Sequence, residues 1–370
     1  MQKLKVAILF GGRSGEHEVS IVSALSIFSA LDKNKYEITL VGIDKNGRWL
    51  LPDQSQLLLQ QMRPDLVKLN NEFQTVNLLP FRTEKNLVAV SSTDEMSPKA
   101  FDVIMPILHG TNGEDGTIQG LLELTQIPYV GSGVLGSALV MDKDLAKRML
   151  QAMGIQVVPF MTVHKHLFSE NILTEAENLF GYPYFVKPAN MGSSVGVNKI
   201  KNRGEALTKF KDALQYDNKI LVEKFIKCRE LECAVLGNHD PKASIIGEII
   251  PKHDFYSYEA KYIDENGADL CIPALNLKPE FIHRLQELAI LAFKALDCAG
   301  LARVDFFYDE TNSQIYVNEL NTIPGFTKIS MYPKLWEASG LSYSDLLDRL
   351  IELAVERNRA RRDLKTTFQP

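Results

Sequence analysis

Residues 302–326 read ARVDFFYDETNSQIYVNELNTIPGF, two strand-like runs around a polar turn, and predict an antiparallel hairpin. Residues two apart on a strand share a face, so Arg303 and Asp305 project together, as do Glu319 and Asn321. A register with Asp305 opposite Glu319 also sets Arg303 opposite Asn321. Like charges facing each other across strands are destabilising, so this pair of acids requires a cation. Arg303 supplies part of it in a structural ion-pair reading. A magnesium ion supplies it better, because it is held by one or two carboxylates plus substrate phosphates and takes oxygen ligands. The Asn321 amide adds a further hard oxygen. The hairpin therefore reads as a metal clamp for a nucleotide.

The 370 residues carry 45% hydrophobic and 24% charged side chains and a net charge of −5. That length suggests two or three domains with a sizeable core. The mildly acidic balance argues against a dedicated nucleic-acid or membrane-surface protein. The basic cluster Arg357, Arg359, Arg361 and Arg362 continues a helical pattern and reads as a solvated helix end, where cations are favoured. Cys228, Cys233, Cys271 and Cys298 form no C-x-x-C pair and no zinc spacing, so they read as reduced thiols. The apolar run in MQKLKVAILFGG is too short for a secretory segment, and no later stretch resembles a membrane span. A cytoplasmic location is the expectation.

KVAILF is a continuous apolar run, the pattern of a central parallel strand buried on both faces. A helix follows with Ile21, Ala24, Leu25, Phe28 and Leu31 on one stripe. YEITLVGID, FDVIMPILHG and IPYVGSG read as the second, third and fourth strands of an open α/β domain ending near residues 125–135. The interval 52–80 within it has no clear assignment. Beyond, DKDLAKRMLQAMG is a helix ending at Gly154, YPYFVKPANMGSSVGVNKI is strand, glycine loop, strand, and KILVEKFIKCRELECAVLG is two strands. A polar stretch around 252–272 lacks periodicity and reads as a lid or a disordered loop. PEFIHRLQELAILAFKALD is a helix before the closing hairpin.

In VKPANMGSSVGV the backbone N–H groups around Gly192, Ser193, Ser194 and Gly196 can approach phosphate oxygens, and Lys187 adds a point charge. An ordinary hairpin tip is the competing reading. The loop is not a Walker A motif, since G-x-x-x-x-G-K-[ST] is missing. GGRSGE fails as a dinucleotide fingerprint because Phe10 stands where the first glycine is needed, although Asp44 closes the second strand. Glu16, at a strand-to-helix turn, can hold an ammonium group. His109 reads either as a ligand or acid–base group or as a residue ordering its loop. No G-x-S-x-G elbow surrounds Ser193.

Taken in order, GGRSGEHEVS, LHGTNGEDGTIQGLLE, VKPANMGSSVGV, LVEKFI, RELE, YEAKY, ARVDFF, NELNTIPGFT and SMYPKLW resemble the D-alanine–D-alanine ligases of the ATP-grasp superfamily over nearly the whole chain. Lys328 departs from the family pattern, in which a small polar residue is usual. The resemblance implies an α/β fold, in part α+β. An N-terminal open parallel domain (1–130) would precede a two-part ATP-grasp unit, central (131–222) and C-terminal (223–370), with the lid in the latter. It implies that Lys143 and Lys187 hold ATP phosphates and that Ser193 and Ser194 supply loop donors. Glu223 would accept from the adenine amino group and Glu230 would bind the ribose hydroxyls, with Ile226 and, on the lid, Lys261 also at the nucleotide. Asp305, Glu319 and Asn321 would ligate two Mg2+ or Mn2+ ions. Glu16, oriented by Ser193 and Tyr262, would hold the ammonium of a first D-alanine. Ser330 and the Met331 backbone would take the carboxylate of a second, and Arg303 with the Gly325 N–H would stabilise the oxyanion.

The implied activity is ATP-dependent formation of D-alanyl-D-alanine through an acyl phosphate, for peptidoglycan precursor synthesis, by a homodimer. Tyr262 bears on the acceptor: depsipeptide-forming relatives carry histidine there, whose positive charge would disfavour an incoming ammonium group. Other acceptors (D-lactate or D-serine), a non-catalytic nucleotide-binding regulator, and a NAD-dependent oxidoreductase are the alternatives. The set Arg303, Asp305, Glu319 and Asn321 argues against the regulator.

Overall fold

The computed structural model describes residues 2–52, 74–80, 87–89, 99–252 and 268–365. The chain begins β1 (Leu4–Gly11), α1 (His17–Ala30), β2 (Tyr36–Ile43), β3 (Trp49–Leu51), β4 (Gln74–Leu78), β5 (Leu87–Ala89), β6 (Val103–Ile107) and α2 (Thr117–Thr125). These strands form one sheet in the order β5-β4-β3-β2-β1-β6, with β1 parallel to both neighbours and β3 to β5 antiparallel. β1 is apolar from Val6 to Phe10, where both its faces are covered. Val6, Ile8 and Phe10 enter one core, while Ala7 and Leu9 enter another on the opposite face.

IPYVGSG does not become a strand. A single bridge, Tyr129 to Ile104, is all that forms before the chain turns away at Gly131, whose φ is +98°. The interval without an assignment contributes β4, while residues 53–73 lie outside the described set.

Next come α3 (Val134–Met141), α4 (Lys143–Ala152), β7 (Phe160–His164), α5 (Glu170–Phe180), β8 (Tyr184–Pro188), β9 (Asn198–Ile200), α6 (Arg203–Tyr216) and β10 (Lys219–Lys224). Their antiparallel sheet runs β7-β10-β8-β9, with the glycine loop between β8 and β9 as read. The last part comprises β11 (Arg229–Gly237), β12 (Lys242–Pro251), β13 (Ala268–Cys271), α7 (Pro279–Ala295), β14 (Gly300–Asp309), β15 (Gln314–Asn321), α8 (Met331–Ala338) and α9 (Tyr343–Arg362). Its antiparallel sheet runs β13-β12-β11-β14-β15. The far end of the expected lid is thus an edge strand, β13, hydrogen-bonded to β12. Residues 253–267, with Lys261 and Tyr262, lie outside the described residues.

The ends of the chain meet in one core: Leu346, Leu347, Leu350 and Ile351 of α9 pack with Val6, Phe10 and Leu25. The basic helix end is solvated as read at Arg359, Arg361 and Arg362, while Arg357 is half-buried. Arg357 lies 4.2 Å from the centre of the Tyr129 ring and donates to the Tyr129 carbonyl at 3.1 Å, and Arg361 pairs with Glu123. Cations there serve the helix C-terminus and also fasten it to the N-terminal part.

α1 buries Ser20 and Ser23 beside its apolar stripe. Ser20 Oγ accepts from the Gly11 N–H at 2.7 Å and donates to the Ile107 carbonyl, so it ties together the ends of β1 and β6. Those ends carry the loops that lead to Glu16 and His109. Ser20→Ala leaves a buried donor and a buried acceptor unsatisfied, and should lower unfolding free energy by about 2 kcal/mol. A urea titration checks this; a variant as stable as the wild type would show that the tie contributes nothing.

Candidate functional site

The C-terminal hairpin has the register read from the sequence: Asp305 faces Glu319 and Arg303 faces Asn321. A bulge follows Asp305, so Phe306 faces Val317 and the spacing changes beyond the acidic residues. Arg303 grips Asp305 with Nε at 2.7 Å from Oδ1 and Nη2 at 2.7 Å from Oδ2. The Asn321 amide donates to the same Oδ2 at 2.9 Å. Burial disfavours the Arg303 charge, but Asp305 and Glu232 outweigh it and keep the guanidinium firmly protonated. The ion pair and the metal clamp read from the sequence therefore share their residues.

Asp305, Glu319 and Asn321 offer hard oxygen donors, which suits Mg2+ or Mn2+. Among the described residues no group of three or more His, Cys, Asp or Glu forms a complete metal site. A partial set of this kind fits an ion that completes its shell with water and nucleotide phosphates.

Lys143, the first residue of α4, reaches the hairpin from the side: its Nζ is 3.6 Å from Glu319 Oε2 and donates to the Met191 carbonyl of the glycine loop at 2.8 Å. Lys187 does not stand alone at the end of β8, because its Nζ lies 2.7 Å from Glu223 Oε2. Lys147 approaches the other Glu223 oxygen at 3.1 Å. Burial pushes the Glu223 carboxyl up, yet the two ammonium groups overcome it and hold it below the usual range. Burial also pushes Lys147 down, to about 8, although Glu223 works against that. Sequence reading missed Lys147; its place four residues after Lys143, on the same helix face, was the available signal. Ile226 lies on the link from β10 to β11, by which the chain passes from one antiparallel sheet to the other, and Glu230 is the second residue of β11.

The glycine loop is held in an unusual shape. Ser193 and Ser194 have φ of +51° and +60°, which costs each residue roughly 1–3 kcal/mol and points to a conformation imposed by its surroundings. Ser193 Oγ donates to Glu16 Oε1 from the N-terminal part. Two glycines make room for that carboxylate: a Cβ on Gly110 would lie 2.6 Å from Glu16 Oε2, and one on Gly192 would lie 2.9 Å from it.

The segment after β15 is fixed from the N-terminal side at Ile323. Its N–H donates to Glu114 Oε1 at 3.1 Å, and its carbonyl accepts from His109 Nδ1 at 2.9 Å. A carbonyl only accepts, so Nδ1 carries the proton and Nε2 accepts from Ser23 Oγ at 3.1 Å. Burial lowers the pKa of His109, in keeping with a neutral ring. His109 thus orders a loop and contacts no candidate metal ligand directly, and Glu114 was missed although LHGTNGEDG contains it. Further on, Gly325 lies against Ser330, where a Cβ would meet Oγ at 3.1 Å. Ser330 precedes α8, whose N-terminus with the Met331 N–H suits a carboxylate. Lys328 is exposed in the same loop.

Burial, and then the Glu16 charge, push the Glu114 carboxyl up to about 8, against its backbone donors. The folded protein then holds a proton that the unfolded chain releases at its ordinary value of 4.5. This contribution to stability is complete below about 4.5 and is lost as pH rises through about 8. Glu114→Gln should flatten that decline, measured by urea midpoints at intervals across the window; an unchanged slope would assign the decline to other groups.

Two family models match the chain: D-ala D-ala ligase N-terminus over residues 5–132 and D-ala D-ala ligase C-terminus over residues 149–352. The D-alanine–D-alanine ligase of Shouchella clausii is 50% identical over 367 residues, 99% of each chain. D-alanine–D-alanine ligase A of Escherichia coli K12 is 47% identical over 368 residues and the full length of both chains. Among solved structures, the D-alanine–D-alanine ligase from Coxiella burnetii superposes with a TM-score of 0.85 at 40% identity, covering 98% of this chain and 97% of that one. The VanG D-Ala:D-Ser ligase from Enterococcus faecalis gives 0.83 at 36% identity, covering 95% and 100%. With both family models matched in chain order and relatives this similar from end to end, the chain belongs to the D-alanine–D-alanine ligase family.

Proposed function

We propose that this protein joins two D-alanine molecules to D-alanyl-D-alanine at the expense of ATP, in peptidoglycan precursor synthesis. The observation that carries this reading is the bond from Ser193 to Glu16, which joins the glycine loop of a nucleotide site to an acid suited to an ammonium group. Glu16 binds the ammonium of the first D-alanine and so aims its carboxylate toward the loop. That carboxylate attacks the γ-phosphorus of ATP, and ADP leaves. Lys143 and Lys187 hold the phosphates, Lys187 by exchanging its Glu223 partner for them while Lys147 remains on Glu223. Divalent cations held at Asp305, Glu319 and Asn321, two in this reading, spread the phosphate charge when bound.

The neutral amine of the second D-alanine then attacks the acyl carbon. Its carboxylate rests on Ser330 and the Met331 N–H, and the tetrahedral oxyanion is met by Arg303 and the Gly325 N–H. Collapse of that intermediate expels inorganic phosphate, which carries away the proton lost by the amine, and leaves the peptide bond. Lys261 and Tyr262 are proposed to close over the site and keep water from the acyl phosphate. Glu223, Ile226 and Glu230 are proposed to receive the nucleoside. A cytoplasmic homodimer belongs to the same reading; among the described residues no helix is long and apolar enough to cross a membrane.

The test supplies ATP with D-alanine, D-serine and D-lactate together at neutral pH. D-alanyl-D-alanine should dominate, and ADP release should require D-alanine. A mixed dipeptide ending in D-serine, the product type of the VanG comparison, would reassign the acceptor. ATP turnover indifferent to D-alanine would overturn the reading entirely. In the same assay Glu319→Gln should lower kcat by about two to three powers of ten while the protein stays folded. Near wild-type turnover with Mg2+ would remove Glu319 from the clamp.

A further inference from the structure

The row of acids is longer than the hairpin. Glu232 on β11 stands directly opposite Asp305 on β14, which in turn faces Glu319 on β15. Arg303 lies between the first two, with Nε 3.0 Å from Glu232 Oε2 and 2.7 Å from Asp305 Oδ1. The Glu232 side chain is only 5% exposed, so this is an enclosed ion pair rather than a passing surface contact.

Asp305 has conflicting duties. Its Oδ2 already accepts from Arg303 and from Asn321, and its Oδ1 accepts from Arg303. A carboxylate oxygen offers two in-plane lone pairs, so Oδ2 is filled. A divalent cation that binds through Oδ2 therefore displaces one of these bonds. The Arg303 side chain is 20% exposed, so a guanidinium that loses its carboxylate there becomes a poorly solvated, uncompensated charge, which is costly unless a second carboxylate stays with it. Glu232 is placed to be that second carboxylate: it is fixed on the neighbouring strand and lies on the side of Asp305 away from Glu319.

We infer that Glu232 is a positioning residue that keeps Arg303 paired and aimed at the reacting carbonyl while Asp305 engages a metal ion. This rests on the reading of Asp305 and Glu319 as a metal clamp. Removing the Glu232 charge makes Asp305 the principal counterion of Arg303, so the guanidinium competes with the cation for one carboxylate. Metal affinity and oxyanion stabilisation then fall together, while the substrate subsites at Glu16 and Ser330 are untouched.

The experiment compares Glu232→Gln and Glu232→Asp in the full-length protein. Free Mn2+ is followed by electron paramagnetic resonance during titration in the presence of a non-hydrolysable ATP analogue. The amide variant should bind Mn2+ about tenfold more weakly and lose about tenfold or more in kcat, with KM for D-alanine within about twofold of wild type. The aspartate, which retains the charge, should recover most of both losses. An amide variant with wild-type Mn2+ affinity and kcat, or an aspartate no better than the amide, would overturn the inference. Glu319→Gln in the same titration separates the underlying reading: if it too leaves Mn2+ affinity unchanged, the clamp itself fails. A measurement on the unaltered protein decides the matter if the amide does not fold. With 15N-labelled arginine, the Arg303 Nε–H should stay protected from solvent exchange after loading with Mg2+ and the analogue. Rapid exchange on loading would show that no carboxylate holds it.

Discussion

The antiparallel register of β11, β14 and β15 sets three carboxylates side by side, and much of the site answers that constraint. Facing side chains on neighbouring strands stand roughly 5 Å apart, close enough for like charges to repel appreciably inside a protein. Arg303 offsets the repulsion at Glu232 and Asp305, and Lys143 reaches toward Glu319 from a helix in another part of the chain.

The constraint extends to the N-terminal part through the segment that leaves β15. Ile323 is two residues beyond Asn321, and both its backbone polar groups are held by side chains from the loop after β6. His109 and Glu114 thereby fix where the chain goes after the acidic hairpin, and so where Gly325 and Ser330 stand. Glu16, meanwhile, takes its hydrogen bond from the glycine loop. The core that unites α9 with β1 and α1 gives these thin polar contacts a rigid base. Apolar packing positions the two halves, and a few polar groups set the register between them.

Periodicity made the frame legible. The continuous apolar run of β1, the paired strands around the glycine loop and the C-terminal hairpin each follow from local pattern, and the hairpin register posed by the metal-clamp reading is the one observed. IPYVGSG misled because an apolar run says nothing about how far a ladder continues, and Gly131 ends it after one bridge. The Arg357 and Arg361 contacts escaped because a composition argument sees a basic tail and cannot see Tyr129 or Glu123 beneath it. Glu114, Lys147 and Glu232 were overlooked for a shared reason. Each acts on a residue distant in sequence, and a charged residue in a loop, strand or helix gives no local sign of such a partner. The pairing of Lys187 with Glu223 was likewise invisible, since it depends on which residues β10 sets beside β8.

The central claim is that a substrate carboxylate is activated by phosphorylation in this site. It is tested most directly with D-alanine labelled with 18O in both carboxylate oxygens. Attack of the carboxylate on the γ-phosphorus, followed by attack of the amine on the acyl carbon, transfers one labelled oxygen to inorganic phosphate. Mass spectrometry of the phosphate released with the dipeptide should therefore find one 18O per molecule. Phosphate without label would mean that water, not the carboxylate, takes the phosphoryl group, and would contradict the account.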